Sequence, residues 1–549
     1  MYSARIALPL LIAVACVQQY RCVSRAVLPA QDAVDFVSVA QRIDREGISA
    51  AVRAEPVQPL FPAWVCAVHR AGGRLGLLAE NQWGLAAQLV AAAAAVGCVV
   101  PVFLLARRLF GPDCGLLAGL LICLLPEFAR LGADGVSDSL HLMLVGWALW
   151  AAVAALDAED EFADASLMWW LTGSLLGAAL LVRAEAAAVV VALALWAAIR
   201  TVIHRRGTAR VSLSEFPAAP LLLPLGGGLL LCVIPYVSAG LISPAEIAWR
   251  VRGGGAPTED VPLNPAPTSA VAGPEQPLRD AAGEPLVFGH KDRTRSTRFH
   301  GFVATGGEFV REFGQAGGLI VLPFAVAGAW TLAKRTRRPA AVWLGEFVAV
   351  HMALVFVFAW RGGYLSTRHV LGAVVGLLPY AALGMTTLAG IATTAVRARG
   401  ISARGVAGAF AALIAVGCVA VTARPLHESQ LAHRRAIEWL DSPAAGPGRV
   451  LDQQGFTALE SGRTTYRFDS AERALADREL AYVVVERADL EAESPRGRSL
   501  RTVLGDATAA AATFADPRNR PHRDVLVFAR SQPLLNLQTA GRETLIHAR

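Results

Sequence analysis

The chain has 549 residues, 54% of them hydrophobic and 17% charged, with a formal net charge of +7 and a mean hydropathy of +0.45. That hydropathy excludes a soluble protein of this length and places the chain among polytopic membrane proteins. Much of the basic charge sits in short clusters between apolar runs, the pattern of cytoplasmic membrane loops, so the net charge implies no nucleic-acid partner.

A bilayer core takes about 20 apolar residues per helix. On that scale spans fall near 6–21, 84–106, 114–131, 138–156, 168–182, 185–200, 217–240, 315–333, 341–360, 369–391 and 403–423. The first also fits a signal peptide, with Arg5, a short apolar core and small residues before Cys16. A lipoprotein signal would want Leu near Ala13 and is not favoured; cleavage would leave the next loop on the same side. The run 168–200 is too long for one helix, at roughly 50 Å against a hydrocarbon core of about 30 Å. Burying Arg183 and Glu185 at its centre would cost a few kcal/mol each. Two spans turning at Arg183-Ala-Glu185 remove both difficulties.

Orientation follows from Lys and Arg in the short loops. With the N-terminus inside, the inner loops carry Arg107, Arg108, Arg200, Arg205, Arg206, Arg210, Lys334, Arg335, Arg337, Arg338, Arg397, Arg399 and Arg404. The short outer loops carry only Arg130, Arg183, Arg361 and Arg368. An odd number of spans then leaves the C-terminus outside. Cys22 and Cys66 are the cysteines that could share an outward loop, so a disulfide between them is permitted; no CxxC or Cys/His zinc spacing occurs.

Three outward segments are long: 22–83, 241–314 and 425–549. The middle of the second, 253–283, is rich in Pro, Gly and Ala and is expected to be mobile. The expected organisation is a transmembrane domain over 1–424 and an extracytoplasmic α/β domain over 425–549. In the latter, 449–452, 481–486 and 524–528 have the composition of strands, and 470–480 and 499–509 that of helices.

The segment most open to chemistry follows the first span. If 32–46 is a helix ending at Gly47, Asp32 stands at its start, Asp35 lies one turn on, and Phe36, Val39, Ala40 and Ile43 continue the face. A helix N-terminus stabilises an ionised carboxylate, which suits a general base. The alternative is that Asp32 is only an N-cap. Asp138, with Asp134 before it, is a second candidate carboxylate. Its spacing to His141 permits joint metal ligation, but a cap that also walls the site is preferred.

The segment 28–40, aligned on Ala40, resembles the first-loop pattern Asp-Glu-x-x-Tyr-x-x-x-Ala of the GT-C glycosyltransferases, which include the bacterial aminoarabinose transferases and the protein O-mannosyltransferases. Asp32, Phe36 and Ala40 take the acidic, aromatic and small positions. Gln58-Pro-Leu-Phe-Pro62 is similar to the family's Pro-Pro-Leu-Tyr segment, and Leu104–Gly111 to its second-span exit. Ser137-Asp-Ser-Leu140 resembles the opening of its fourth span, Leu181-Val-Arg-Ala-Glu185 its Arg-Pro-Glu turn, and Tyr364-Leu-Ser-Thr-Arg-His369 its late Tyr-x-x-x-Arg-Tyr loop. The likeness runs in the family's order over roughly 20–390. Ala33 stands where the family often has Glu, and Ala184 replaces the Pro of the turn.

The resemblance implies an α-helical GT-C membrane protein that moves a sugar from a polyprenyl-phosphate donor to a lipid, glycan or protein acceptor at the extracytoplasmic face, with inversion. Asp32 would deprotonate the acceptor, and Asp138 would be the second site carboxylate. Asp35, Phe36, Arg183, Tyr364, Arg368 and His369 would contact substrate. Arg53, Arg130 and Arg361 are further outward cations, and Arg368 is the preferred holder of the leaving phosphate. The cluster Lys291, Arg293, Arg295, Arg298 and His300 would grip phosphate or lie on anionic lipid. His69 is taken as a loop histidine. No cofactor is required, and a divalent metal is compatible with the scheme. The rival readings are a lipid or sugar transporter, and a non-catalytic scaffold whose C-terminal domain binds a partner. A transporter would place ionisable groups mid-span, where this chain has few.

Overall fold

The computed structural model describes residues 4–54, 58–158, 162–207, 219–238, 301–334, 338–361, 365–395, 402–423, 425–504 and 510–530. The helices of the first three-quarters are α1 (Ala4–Arg25), α2 (Ala33–Glu46), α3 (Ile48–Ala54), α4 (Leu60–Arg74), α5 (Trp83–Phe110), α6 (Pro112–Leu124), α7 (Pro126–Asp134) and α8 (Asp138–Asp157). They continue with α9 (Phe162–Leu180), α10 (Ala187–Gly207), α11 (Ala219–Ser238), α12 (Phe302–Gln315), α13 (Gly318–Ala333), α14 (Pro339–Trp360), α15 (Thr367–Ala395) and α16 (Ala403–Thr422).

Among the described residues, seven helices are long and apolar enough to cross a membrane, two bent pairs pass the same test together, and two shorter apolar helices add to them. Each expected span falls on one of these. One expected span, 114–131, bends, and the span expected at 315–333 is preceded by a helix, α12, in what the sequence reading assigns to an outward segment. α6 and α7 meet at 53° because Pro126 disfavours helical backbone at Leu125, which is extended at φ −57°, ψ 127°. α12 and α13 meet at 90° at Gly317, whose φ of +82° a side chain would strain. The turn within 168–200 forms as expected: α9 ends at Leu180, Arg183 is extended, and a short 3-10 turn over Ala184–Ala186 leads into α10.

The bundle core is aliphatic, with Phe103, Trp343 and Phe347 fully buried in it. Large apolar side chains such as Trp330, Leu413 and Val416 point outward on spanning helices, as lipid contact requires. α13 and α15 cross closely: a Cβ on Gly384 would fall 1.8 Å from the Phe324 carbonyl oxygen, so only glycine fits. All eight cysteines are free, so the Cys22–Cys66 disulfide that the sequence permitted does not form. Cys66 instead directs its thiol to the Asp44 carboxylate, 3.8 Å away.

The C-terminal region contains α17 (Leu431–Leu440) and a five-stranded sheet of β1 (Arg449–Asp452), β2 (Thr465–Tyr466), β3 (Leu480–Glu486), β4 (Ala512–Phe514) and β5 (Val525–Ala529). The strand order is β2-β1-β3-β5-β4. β1 runs parallel to β2 and β3, and β5 runs antiparallel to β3 and β4. The sheet buries apolar side chains on both faces, Leu451, Val483 and Val485 on one and Val450, Tyr482 and Val484 on the other. The expected helix 470–480 is shorter, Ala471–Ala476, because the chain enters β3 at Leu480; the expected 499–509 begins earlier, at Pro495.

Two sets of contacts separate the ends of the bundle. At one end Arg108 pairs with Asp157 at 2.9 Å and Arg338 bonds the Leu109 carbonyl. At the other lie the starts of α5, α8 and α15, the first loop, and the C-terminal region. There Asn81 bonds the Glu460 carbonyl at 2.7 Å, and Phe456 and Leu459 join the apolar core of the first loop. The first loop and the sheet therefore lie together at this end of the bundle.

Candidate active site

α2 forms where the sequence placed it and ends at Gly47, with φ +85°. Ala33, Val34, Val37, Val39, Ala40 and Ile43 are buried, while Asp32 and Asp35 remain open to the front of the helix. Asp32 is the residue before the first helical turn, but its carboxylate makes no capping hydrogen bond. It turns away from its own helix and accepts from Arg368 Nη2 at 2.5 Å, across 336 positions of sequence.

Arg368 is shared. Its Nη1 stands 3.6 Å from Asp138 Oδ2, while Asp138 Oδ1 accepts from Arg183 Nη1 at 2.5 Å. Arg183 closes a second pair, with Nη2 and Nε donating to Glu185 Oε1 at 2.7 and 3.1 Å. His369 continues the chain, Nε2 lying 3.7 Å from the same Glu185 oxygen while Nδ1 accepts from the Ser366 amide. Four segments far apart in sequence thus build one alternating row, Asp32–Arg368–Asp138–Arg183–Glu185–His369. Its ends differ in exposure: the Asp32 side chain is 52% exposed and that of Asp138 only 3%.

Burial works against the Arg183 charge, but Asp138 and Glu185 outweigh it and hold its pKa above the ordinary guanidinium value. Asp138 Oδ2 is buried with no hydrogen bond among the described residues. A carboxylate oxygen in that state, facing Arg368 at 3.6 Å, leaves that cation able to trade partners. The row offers an exposed carboxylate beside a guanidinium whose second partner is buried: a proton acceptor next to an anion holder.

The other sequence candidates divide. Asp35 has no described contact with the row and is paired with Arg467 of the C-terminal region. Phe36 packs edge-on against Phe61, ring centroids 5.2 Å apart. His141 is buried, its Nδ1 unpartnered among the described residues. Arg130 pairs with Glu127 at 3.2 Å, Arg53 and Arg361 are exposed, and Asp134 bonds His427 at 2.8 Å. His69 stacks on Trp83, ring centroids 3.6 Å apart. Tyr364 and the cluster from Lys291 to His300 lie outside the described residues. Among the described residues no group of three or more His, Cys, Asp or Glu side chains could hold a metal ion.

Sequence reasoning missed three contributors. Glu312, nearly buried, accepts from the Thr367 hydroxyl at 2.7 Å and so anchors the residue before Arg368. Gln454 and Arg467 reach α2 from the C-terminal region. No local pattern could have shown these, since the partners are separated by 55 residues in the first case and by more than 400 in the other two.

Residues 58–223 match the model of the dolichyl-phosphate-mannose-protein mannosyltransferase family. Among curated proteins no sequence match was found. Of solved structures, the chain is similar to ArnT from Cupriavidus metallidurans in the apo state, at 15% identity and a TM-score of 0.54, covering 96% of this chain and 98% of that one. It is likewise similar to the same protein bound to undecaprenyl phosphate, at 14% identity and a TM-score of 0.52, covering 95% and 97%. The chain therefore has the GT-C fold, and its resemblance to the GT-C membrane glycosyltransferases holds in both sequence and structure.

Proposed function

We propose that the chain transfers a sugar from a polyprenyl-phosphate donor to an acceptor at the extracytoplasmic membrane face, with Asp32 as general base. The observation that carries this reading is the Asp32–Arg368 pair. A carboxylate at the N-cap position that leaves its own helix uncapped and sits against a cation is arranged for chemistry rather than for helix stability.

In this reading the donor phosphate takes up Arg368, with Arg183 behind it across Asp138. Relieved of that partner, Asp32 accepts the proton of the acceptor hydroxyl, whose oxygen attacks the anomeric carbon. The bond from that carbon to the phosphate oxygen breaks, and the electron pair leaves with the polyprenyl phosphate. Fixed guanidinium groups stabilise the charge as it forms. The scheme routes no step through a metal. The undecaprenyl phosphate in the similar ArnT structure supports a lipid-phosphate donor. Orientation rests on the basic residues Arg107, Arg108, Arg200, Lys334 and Arg338, which belong to the end of the bundle opposite the site.

The test is a comparison of outer-surface lipids and glycans in cells with and without the protein, alongside binding of undecaprenyl phosphate to the purified chain. A glycan or lipid that loses one sugar, together with saturable binding, is expected. No change in either would dismiss the reading.

A further inference from the structure

The C-terminal ends of the inner strands β1 and β3 are wired to α2, the helix that Asp32 precedes. Asp452 ends β1 almost fully buried, and its two oxygens organise the loop that follows. Oδ1 accepts from the Gln454 amide at 3.0 Å, and Oδ2 from the Thr457 amide and hydroxyl at 2.8 and 2.7 Å. Glu486, ending β3, accepts from Gln454 Nε2 at 2.9 Å and lies 3.2 Å from His433 Nε2. So held, the Gln454 side chain meets that of Gln31, the neighbour of Asp32.

Three more contacts run along α2. Arg467 donates to Asp35, one turn past Asp32. Gln41 donates to the Ala458 carbonyl at 3.1 Å. Gly455, at φ +77°, packs so close to α2 that a Cβ there would lie 2.7 Å from Val34 Cγ1. Residues 31, 34, 35 and 41 are thus gripped by one short stretch, 454–467. A helix held at four points has its first turn fixed, and the first turn decides whether Asp32 faces Arg368.

We propose that the C-terminal α/β domain is the positioning element of the site, with Arg467 and Gln454 as positioning residues that hold α2 so that Asp32 meets Arg368. The domain is then part of the transferase rather than a separate binding module. This rests on the reading of Asp32 as the reacting carboxylate, but its primary test does not.

In the full-length protein in lipid nanodiscs, carboxylates are labelled with a water-soluble carbodiimide and glycine ethyl ester, and sites are assigned by mass spectrometry. Arg467→Gln is expected to raise labelling at Asp32 by on the order of 2- to 5-fold, the range that an exposed ion pair protects. Arg467→Lys should stay near wild type, and Gly455→Ala, which pushes on Val34, should behave like Arg467→Gln. Buried Asp138 reports folding and should stay unlabelled. If Arg467→Gln proves misfolded by that criterion, Gly455→Ala and Arg467→Lys decide. Wild-type labelling of Asp32 in every folded variant except Arg467→Lys would overturn the proposal.

Turnover of undecaprenyl-phosphate mannose, glucose or arabinose, whichever the protein accepts, gives the second reading. Arg467→Gln should lower kcat by about 10- to 100-fold, as a small misplacement of a reacting group does, with the donor KM nearly unchanged. If Asp32 labelling responds as expected but Asp32 itself proves dispensable for transfer, the positioning stands and the catalytic reading falls.

Discussion

Asp32 Oδ2 and Arg368 Nη2 lie 2.5 Å apart although the residues are 336 positions apart in sequence. The pair sets a candidate base beside a candidate phosphate holder; in the proposed scheme each releases the other when a donor binds.

That competition has a consequence for binding. Asp32→Asn should bind undecaprenyl phosphate about 2- to 5-fold more tightly than wild type, because Arg368 no longer has to leave an ion pair. Placing both substitutions in a cycle separates this from simple charge repulsion. In an Arg368→Gln background, Asp32→Asn should change the affinity little. An equal gain in both backgrounds would show that the two residues act independently.

Arg368 also bears on rate. Arg368→Ala should reduce turnover by about 10²-fold or more if the guanidinium stabilises charge that develops as the sugar–phosphate bond breaks. Arg107→Ala, an exposed position at the opposite end of the bundle, is the control and should be near neutral. Small, equal effects would make Arg368 a headgroup anchor.

Asp138 and Arg183 predict a stability effect. Their side chains are 3% and 17% exposed, so Asp138→Ala leaves a buried cation short of a partner, at a cost of about 3–5 kcal/mol. The thermal midpoint of the purified protein should fall clearly, and much less for Asp138→Asn, whose amide oxygen can still accept from Arg183. An unchanged midpoint for Asp138→Ala would mean that Glu185 alone satisfies Arg183.

The sequence was most legible where structure is set by local rules. Apolar runs located the long apolar helices among the described residues, because a bilayer demands length and hydropathy from each helix alone. The turn at Arg183–Glu185 followed from the cost of burying charge. The kink at Leu125 was also readable, since Pro126 follows it, but the hydropathy run hid it. β2 and β4 are two and three residues long, too short for alternation to show. α17 carried its signal in Ala432, Ala436, Ile437 and Leu440, spaced as one buried helical face.

The site was legible in its members and not in its wiring. Asp32, Asp138, Arg183, Arg368 and His369 were all chosen from position and residue type, and the structure brings them into one row with Glu185. Asp35 was expected to contact substrate beside Asp32, because a helix turn makes them neighbours. Tertiary structure separates them, giving one to Arg368 and the other to Arg467. That division depends on contacts spanning most of the chain.

The proposed orientation predicts that a reporter active only in the cytoplasm, fused after Arg549, is silent. The sheet and the first loop share a face, so this one fusion also reports the side of the site. Reporter activity would put the row at the cytoplasmic surface and remove the extracytoplasmic reading.

The most direct measurement compares Asp32→Asn with Asp35→Asn for sugar transfer from a polyprenyl-phosphate donor, in membranes holding equal amounts of each variant. Asn accepts a backbone hydrogen bond as Asp does, so it would preserve a cap while removing the charge a base needs. Asp32→Asn should abolish transfer and leave the protein inserted. Asp35→Asn should be milder, since its carboxylate serves the Arg467 contact. Near-normal transfer by Asp32→Asn would contradict the assignment of Asp32 as the base.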